Sequence, residues 1–557
     1  MVPQELAYKL DRLDAAKDGW DTEVLQQQAQ SQLKALVALL LQPAVIEAGS
    51  LEELATEDVS GDELRPRALE LVLARKDLEV RRLRDDGAPP ARFEGRSGLA
   101  RSLEELRRPY DDPTHLVEHL KLIRIDREDR DATTEIRFEG FGPAAGRPLQ
   151  LTSYWQVRWL VPEDGPLRIS GLEVASFDEV LGPAGGETLF ADRTRRILGA
   201  EPCFEAQLLP GKRYWAGHLD VALGADILGH HGLAVGDVNG DGREDVYLAQ
   251  AGGLPNKLLV QQEDGTVRDT AAAAGVDYLD KTTSALFVDF DNDGDQDLVT
   301  AAGPLIFHVN DGTGRFRVAT ALQTFLAMSL AAADYDGDGD LDLYVTRYSP
   351  PEETAPIPYH DAENGLPNVL LRNDGEFRFR DATEETGLSE NNRRFSFAAS
   401  WEDYDGDGDP DLYVANDFGR NNLYRNDGGR FRDVAGQAGV EDISAGMSVA
   451  WGDYDGDGDW DLYVSNMFSS AGNRIAYQRQ FQEQAAQGVR GAFQRHARGN
   501  SLFTNAGDGT FRDVSVDAGV TMARWAWASK FVDFDNDGRE DLYAVNGYVT
   551  NDDADDL

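Results

Sequence analysis

A chain of 557 residues is too long for one ordinary globular core and calls for two or three domains, unless a repeat takes up the length. Its 100 Asp plus Glu against 54 Lys plus Arg give a formal net charge of -46, which excludes nucleic acid as a partner and calls for hard cations where carboxylates crowd. One cysteine, Cys203, excludes an intrachain disulfide and a Cys-based zinc site, and no stretch approaches the roughly 18 apolar residues of a membrane span.

From Trp20 to Gln42 the apolar residues Val24, Leu25, Ala29, Leu33, Leu36, Val37 and Leu40 fall at three-and-four spacing, which predicts an amphipathic helix ended by Pro43. The run Leu36 to Leu41 lies too far from the start, and lacks the basic flank, for a signal peptide. An exported form is therefore expected to carry its signal outside this sequence. A second charged helical stretch is predicted over Gly61 to Arg84, and Gly87-Ala-Pro-Pro90 marks a boundary, so residues 1–88 read as a helical segment.

Residues 89–185 change period and predict a small α+β domain. Helices near Ser102 to Arg107 and Thr114 to Leu120 precede alternating runs such as Thr134 to Phe138, Leu151 to Leu160 and Arg168 to Val174. The strand Tyr154-Trp-Gln-Val-Arg-Trp159 and its hairpin partner resemble the long curved hairpin of nuclear-transport-factor-2-like cone domains. His115-Leu-Val-Glu-His119 has the spacing of an inverted zincin motif on an expected helix. No third ligand can be assigned, so the pair is read as two histidines on a polar helix face. Residues 186–210 are expected to be a linker.

From residue 211 to 557 the sequence repeats itself. Each unit is an apolar strand, an Asp-rich loop, an Asp-Leu-Tyr-Val strand, an Asn-x-Leu strand and a Phe-Arg-Asp-Val strand, the last almost identical at Phe431 to Val434 and Phe511 to Val514. The third-strand signal recurs at Asn256, Asn368, Asn422 and Asn500. Four short strands per unit make a β-propeller blade. The loop starts are separated by 52, 45, 69, 50 and 80 residues, a unit of about 50 with insertions at 348–367 and 467–500. The fold expected is mainly β: a β-propeller of six visible repeats, built as six or seven blades, behind the helical segment and the α+β domain.

The chemistry sits in six nine-residue loops. At positions one, three, five and nine they carry Asp237, Asn239, Asp241 and Asp245; Asp289, Asp291, Asp293 and Asp297; Asp334, Asp336, Asp338 and Asp342; Asp403, Asp405, Asp407 and Asp411; Asp453, Asp455, Asp457 and Asp461; and Asp533, Asp535, Asp537 and Asp541. Alternate residues of a tight turn can aim at one point. Gly at position six permits the torsion that turns the position-seven carbonyl inward, giving an oxygen cage of calcium size in which magnesium fits less well. An EF-hand is excluded because position twelve is Leu248, Thr300, Val345, Val414, Val464 or Ala544 where a bidentate Glu is needed. Loop one, with the neutral Asn239, is expected to bind calcium last.

These loops and strands, with Asn466 to Asn473 and Arg524-Trp-Ala-Trp527, resemble the FG-GAP/VCBS repeats of integrin-α-type propellers, and in particular the bacterial cartilage-acidic-protein-like, ASPIC/UnbV-associated proteins. The resemblance covers residues 211 to 550. It implies about six structural calcium ions, an extracytoplasmic setting, and binding to a protein or glycan in place of catalysis. An ASPIC-type tail is absent and the sixth unit lacks its third and fourth strands, so this copy is expected to be truncated, with Tyr214 to Asp220 closing the ring as the missing strand. Trp401, Trp451, Trp525 and Trp527 recur near the strand before the loop and are expected to pack between blades. His230-His231 is read as a structural pair, and the basic stretch Arg474 to Arg498 as either a docking element or a solvated helix. The competing function is a calcium-dependent polysaccharide lyase or hydrolase, for which the sequence shows no acid-base pair or nucleophile.

Overall fold

The computed structural model describes residues 20–84, 90–128, 130–163, 165–185, 190–220, 232–351, 353–486 and 488–547. The chain divides into two compact units, one from residues 1–191 with 470–483, the other chiefly from residues 192–469 and 484–552. No helix among the described residues is long and apolar enough to cross a membrane.

In the first unit, helix α1 (Asp21–Ala38) buries the expected stripe of Leu25, Ala29, Leu33, Leu36 and Val37. The predicted helix over Gly61 to Arg84 does not form. Strands β1 (Ala55–Asp62), β2 (Leu69–Ala74) and β3 (Glu79–Leu83) occupy the region, and β2 and β3 make a hairpin with Leu69 opposite Leu83. Leu, Glu and Arg favour helices only weakly, and the ladder that β3 makes with β8, pairing Arg82 with Asp178, outweighs that preference. Strand β4 (Arg92–Glu94) leads into α2 (Gly95–Arg107). Four long strands follow: β5 (Val117–Glu128), β6 (Asp131–Ala144), β7 (Arg147–Leu160) and β8 (Arg168–Leu181).

The sheet order is β2-β3-β8-β7-β6-β5, with β1 parallel to β8 and antiparallel to β4. Strict alternation along β7 points Trp155, Val157 and Trp159 into the core, where Trp155 stacks on Phe138 with ring centroids 4.8 Å apart. The helix expected at Thr114 to Leu120 is instead a single turn at Pro113–His115 followed by β5. An extended chain sets residues four apart at roughly 13 Å, so His115 and His119 do not share the helix face a zincin pair needs, and His115 sits 3.6 Å from Asp112.

The second unit is a series of antiparallel sheets. Sheet I holds β9 (Leu233–Gly236), β10 (Asp245–Leu248), β11 (Lys257–Gln261) and β12 (Val267–Asp269). Sheet II holds β13 (Ser284–Val288), β14 (Asp297–Ala301), β15 (Leu305–Asn310) and β16 (Phe316–Leu322). Sheet III holds β17 (Ala327–Ala333), β18 (Asp342–Arg347), β19 (Val369–Asn373) and β20 (Phe379–Asp381). Sheet IV holds β21 (Ser396–Glu402), β22 (Asp411–Asn416), β23 (Asn422–Asn426) and β24 (Phe431–Asp433). Sheet V holds β25 (Gly446–Gly452), β26 (Asp461–Asn466), β27 (Ser501–Asn505) and β28 (Phe511–Asp513). Sheet VI has two strands among the described residues, β29 (Ala526–Val532) and β30 (Asp541–Asn546).

The first strands of consecutive sheets lie side by side from β9 through β29. Two periodic devices join neighbours. Tyr247, Tyr344, Tyr413 and Tyr463, each on a second strand, meet Phe287, Trp401, Trp451 and Phe531 of the next sheet edge-on, with centroids 6.2 to 6.5 Å apart. The last Asn of the third strand donates through Nδ2 to a loop carbonyl of the preceding unit: Asn310 to Val238, Asn373 to Phe290, Asn426 to Tyr335 and Asn505 to Tyr404, at 2.8 to 2.9 Å.

Three expectations change here. The stretch expected as a linker contains helical turns at Thr194–Leu198 and Phe204–Leu208, and Gln207 bonds Gln250 and the Pro255 carbonyl beside sheet I. Tyr214 to Asp220 is no closing strand, because Gly211–Ala216 is a helix pinned by the Trp215 indole on the Gln207 carbonyl at 2.8 Å. In sheet IV the third-strand signal is shifted by one: Asn421, not Asn422, accepts the Asn416 amide and donates to the Tyr413 hydroxyl. His230 and His231 lie outside the described residues.

Candidate metal centres

Each Asp-rich loop joins the first and second strands of its sheet, and its ninth residue begins the second strand: Asp245, Asp297, Asp342, Asp411, Asp461 and Asp541. Two residues per loop need left-handed torsions. Position six is always Gly, at φ between 80° and 94°, and position four is Gly or, in loops two and six, Asn292 or Asn536 at φ 60° and 57°. Only Gly and Asn take this region cheaply, so the turn itself is written in positions four and six.

The position-one carboxylate closes the loop on itself. In loop four Asp403 accepts the amides of Asp407 at 3.1 Å and Gly408 at 3.0 Å, and Asp334, Asp453 and Asp533 repeat the pattern. The position-nine carboxylate ties the loop to the sheet. Asp411 accepts the Asn426 amide at 2.7 Å from the third strand and the Tyr404 amide at 3.3 Å from position two. Asp245, Asp297, Asp342 and Asp461 do the same. All five are fully buried.

Ligand atoms of three carboxylates come within 4.8 Å of one another in five loops: Asp289, Asp291 and Asp297; Asp334, Asp336 and Asp342; Asp403, Asp405 and Asp411; Asp453, Asp455 and Asp461; and Asp533, Asp535 and Asp537. The four-oxygen set expected from sequence is thus divided. In loops two to five the position-five residues Asp293, Asp338, Asp407 and Asp457 accept the position-seven amide at 3.0 Å and stand outside the group. In loop six Asp537 joins while also accepting the Arg539 amide at 2.9 Å, and Asp541, which accepts the Phe534 amide at 3.1 Å, does not. Asp237, Asn239, Asp241 and Asp245 of loop one form no such carboxylate group. Asn239 offers an amide oxygen there, and Arg243 holds Asp241 at 2.5 Å.

The electrostatics of these groups call for a cation. Burial pushes Asp297 and Asp342 up to about 7, Asp411 to about 8 and Asp461 to about 6, against two donated amides that pull the other way. Burial, then the neighbouring carboxylates, also raises Asp291, Asp336 and Asp405. Buried oxygens without a hydrogen-bond partner remain on Asp289, Asp291, Asp336 and Asp405 (Oδ1 in each case). Orphaned carboxylate oxygens facing one another fit a hard cation of calcium type, which satisfies oxygen lone pairs that no N–H reaches. In loop three Arg372 supplies part of this charge, lying 2.9 Å from Asp336 and 2.8 Å from Asp338.

A second polar cluster, not anticipated from sequence, lies at the opposite end of the strands. The Tyr348 hydroxyl donates to Asp417 at 2.6 Å, and burial among Phe395, Phe397, Phe418 and Met447 pushes Asp417 up to about 7. The two insertions of the repeat unit meet beside it, Tyr359 stacking on Phe493 at 6.3 Å and tilting against His496 at 5.7 Å. Asp361 binds Arg394 at 2.7 Å and Arg420 at 2.9 Å, and Arg495 binds Asp442 at 3.0 Å.

Residues 237–300, 298–345, 403–464 and 492–544 match the family model of the FG-GAP-like repeat, so the chain carries FG-GAP-like repeats. No curated protein matches it. Among solved structures it is similar to a nuclear transport factor 2 (NTF2-like) superfamily protein from Salmonella enterica serovar Typhimurium LT2, at 13% identity, over 29% of this chain and 94% of that one, with TM-score 0.19. A hexachlorocyclohexane dehydrochlorinase from Novosphingobium barchaimii LL02 is similar at 11% identity, over 33% of this chain and 99% of that one, with TM-score 0.21. A putative aromatic ring hydroxylase from Novosphingobium aromaticivorans is similar at 14%, over 27% and 85%, with TM-score 0.19.

Proposed function

We propose that the FG-GAP-like repeats form a calcium-stabilised β-propeller of six or seven blades with integrin-α-type loops, acting as an extracytoplasmic binding or adhesion module related to the ASPIC/UnbV-associated proteins. The observation that carries the reading is the convergence of three carboxylates in each of five loops, with unpartnered buried oxygens in loops two, three and four. The side-by-side first strands support the propeller. Calcium is structural in this reading, because each group belongs to its own loop and the groups do not converge on a shared cleft. Partner contact, with a protein or a glycan, falls to the insertions around Tyr359 and Phe493, which depart from the repeat without completing a sheet.

The test is thermal unfolding of the whole chain in about 1 mM calcium and in excess chelator. A site at a hundredfold its dissociation constant adds about 2.7 kcal/mol, so five or six sites rival a domain's entire stability and the melting temperature should drop sharply. An unchanged melting curve refutes the calcium reading. Robust turnover of an anionic polysaccharide, abolished by Asp457→Ala in a protein that still folds, would replace the binding module with a lyase or hydrolase.

A further inference from the structure

One cavity outside the Asp loops runs against the character of the chain. In the first unit a cavity of about 650 Å³ lies between the outward face of α2 and the β2–β3 hairpin, and six arginines line it: Arg65, Arg67, Arg81, Arg92, Arg101 and Arg108. Only two carboxylates, Glu63 and Glu105, share the lining, in a protein whose formal charge is -46. We propose that this cavity binds a small organic anion carrying more than one phosphate or sulfate group.

Three of the arginines are oriented from behind by acids that do not line the cavity. Glu179, 2% exposed, takes Arg65 at 2.6 and 3.2 Å; Asp62, 5% exposed, takes Arg92 through one nitrogen at 3.2 Å; Glu79 takes Arg81 through one nitrogen at 3.2 Å. A guanidinium has five donors in a rigid fork, so each keeps N–H groups for a ligand. Neutralising a buried acid accounts for Arg65 and Arg92, but not for the other four. Arg101 stands exposed on α2 with no acidic partner among the described residues, and Arg67 and Arg108 hold only exposed pairs with Glu63 and Glu105. The Arg108 pair, made through one nitrogen, contributes little and can be exchanged for a ligand oxyanion, whereas Glu63 holds Arg67 through two nitrogens.

The walls are fixed. Ser102 accepts the Leu64 amide at 2.8 Å, which fastens the Glu63 to Arg67 turn to α2, and Gly98 leaves room where a Cβ would come within 3.1 Å of Phe93. The volume falls in the range of small-ligand sites, and forked donors arriving from a helix, a hairpin and a turn suit tetrahedral oxyanions in preference to a single carboxylate.

Isothermal titration of the full chain in calcium buffer with sucrose octasulfate and with fructose 1,6-bisphosphate tests the site and separates sulfate from phosphate. We expect at least one to bind, with affinity falling as salt rises, and Arg101→Gln with Arg108→Gln to weaken it by about tenfold or more, the loss of charge-assisted contacts. Both substitutions sit at exposed positions, so folding should persist. Arg512→Gln, exposed on the repeat unit, should change nothing. No binding of either probe, binding untouched by the cavity variants, or equal loss with Arg512→Gln overturns the proposal.

Discussion

Removing the Asn426 side chain should loosen the junction between sheets III and IV. Asn426 is fully buried; its Nδ2 donates to the Tyr335 carbonyl at 2.8 Å and to the Pro410 carbonyl at 3.2 Å, and its Oδ1 accepts the Gly429 amide at 2.8 Å. Asn426→Ala leaves the Tyr335 carbonyl and the Gly429 amide unpaired in the interior. At about 1–3 kcal/mol for each unsatisfied buried group, less what an entering water restores, the loss should be roughly 2–4 kcal/mol. Asn426→Asp, of equal size, should cost at least as much, because it turns an acceptor toward two carbonyls. Two units need not unfold as one transition, so the assay is amide hydrogen exchange by mass spectrometry beside urea unfolding. Faster exchange should concentrate in peptides spanning Tyr335 and Gly429. Arg432→Gln is the control, removing only an exposed ion pair with Asp427, and should stay within about 0.5 kcal/mol of wild type. If Asn426→Ala unfolds at the wild-type midpoint with unchanged exchange at Tyr335, the asparagine does not join the sheets.

Asp455→Ala should destabilise far more in calcium than in chelator, where it only relieves the crowding of carboxylates with Asp453 and Asp461; equal loss in both, by melting temperature, would make that residue purely structural. Asp417 is raised to about 7 by burial, so its folded form binds the extra proton: the stability this contributes is present below pH 4 and lost as pH rises to 7. Asp417→Asn, which keeps an acceptor for Tyr348, should therefore gain stability at pH 8 relative to pH 4, on the order of 3–4 kcal/mol by linkage, read from urea midpoints. His496 carries the opposite sign. Burial, against the pull of Asp442, depresses it to about 4, so its contribution is present above about pH 6.5 and lost as pH falls toward 4, and His496→Gln should flatten that slope.

The sequence by itself determined what local chemistry determines. The Asp, Gly and Asn positions of each loop dictate a turn whose torsions exclude most side chains, and the apolar stripe from Val24 to Leu40 dictates one helix face, so the repeats, the hairpin loops and α1 were legible. The Trp401 and Trp451 contacts between sheets were legible too, because their period matches the repeat. Left-handed Asn292 and Asn536 at loop position four carried an equally plain signal that the Asp pattern overshadowed. Tertiary structure alone decided the rest. Residues 69–83 have helical propensity, worth tenths of a kcal/mol per residue, and become a hairpin because β8 offers them a ladder. Which three of the four loop oxygens converge is not written in the loop pattern, which loops four and six share: a third strand holds Asp411 through the Asn426 amide, and among the described residues no third strand stands behind Asp541. The arginine cavity gathers residues from four separate stretches between 63 and 108, and no spacing along the chain records that they meet, because strand pairing and helix packing bring them together.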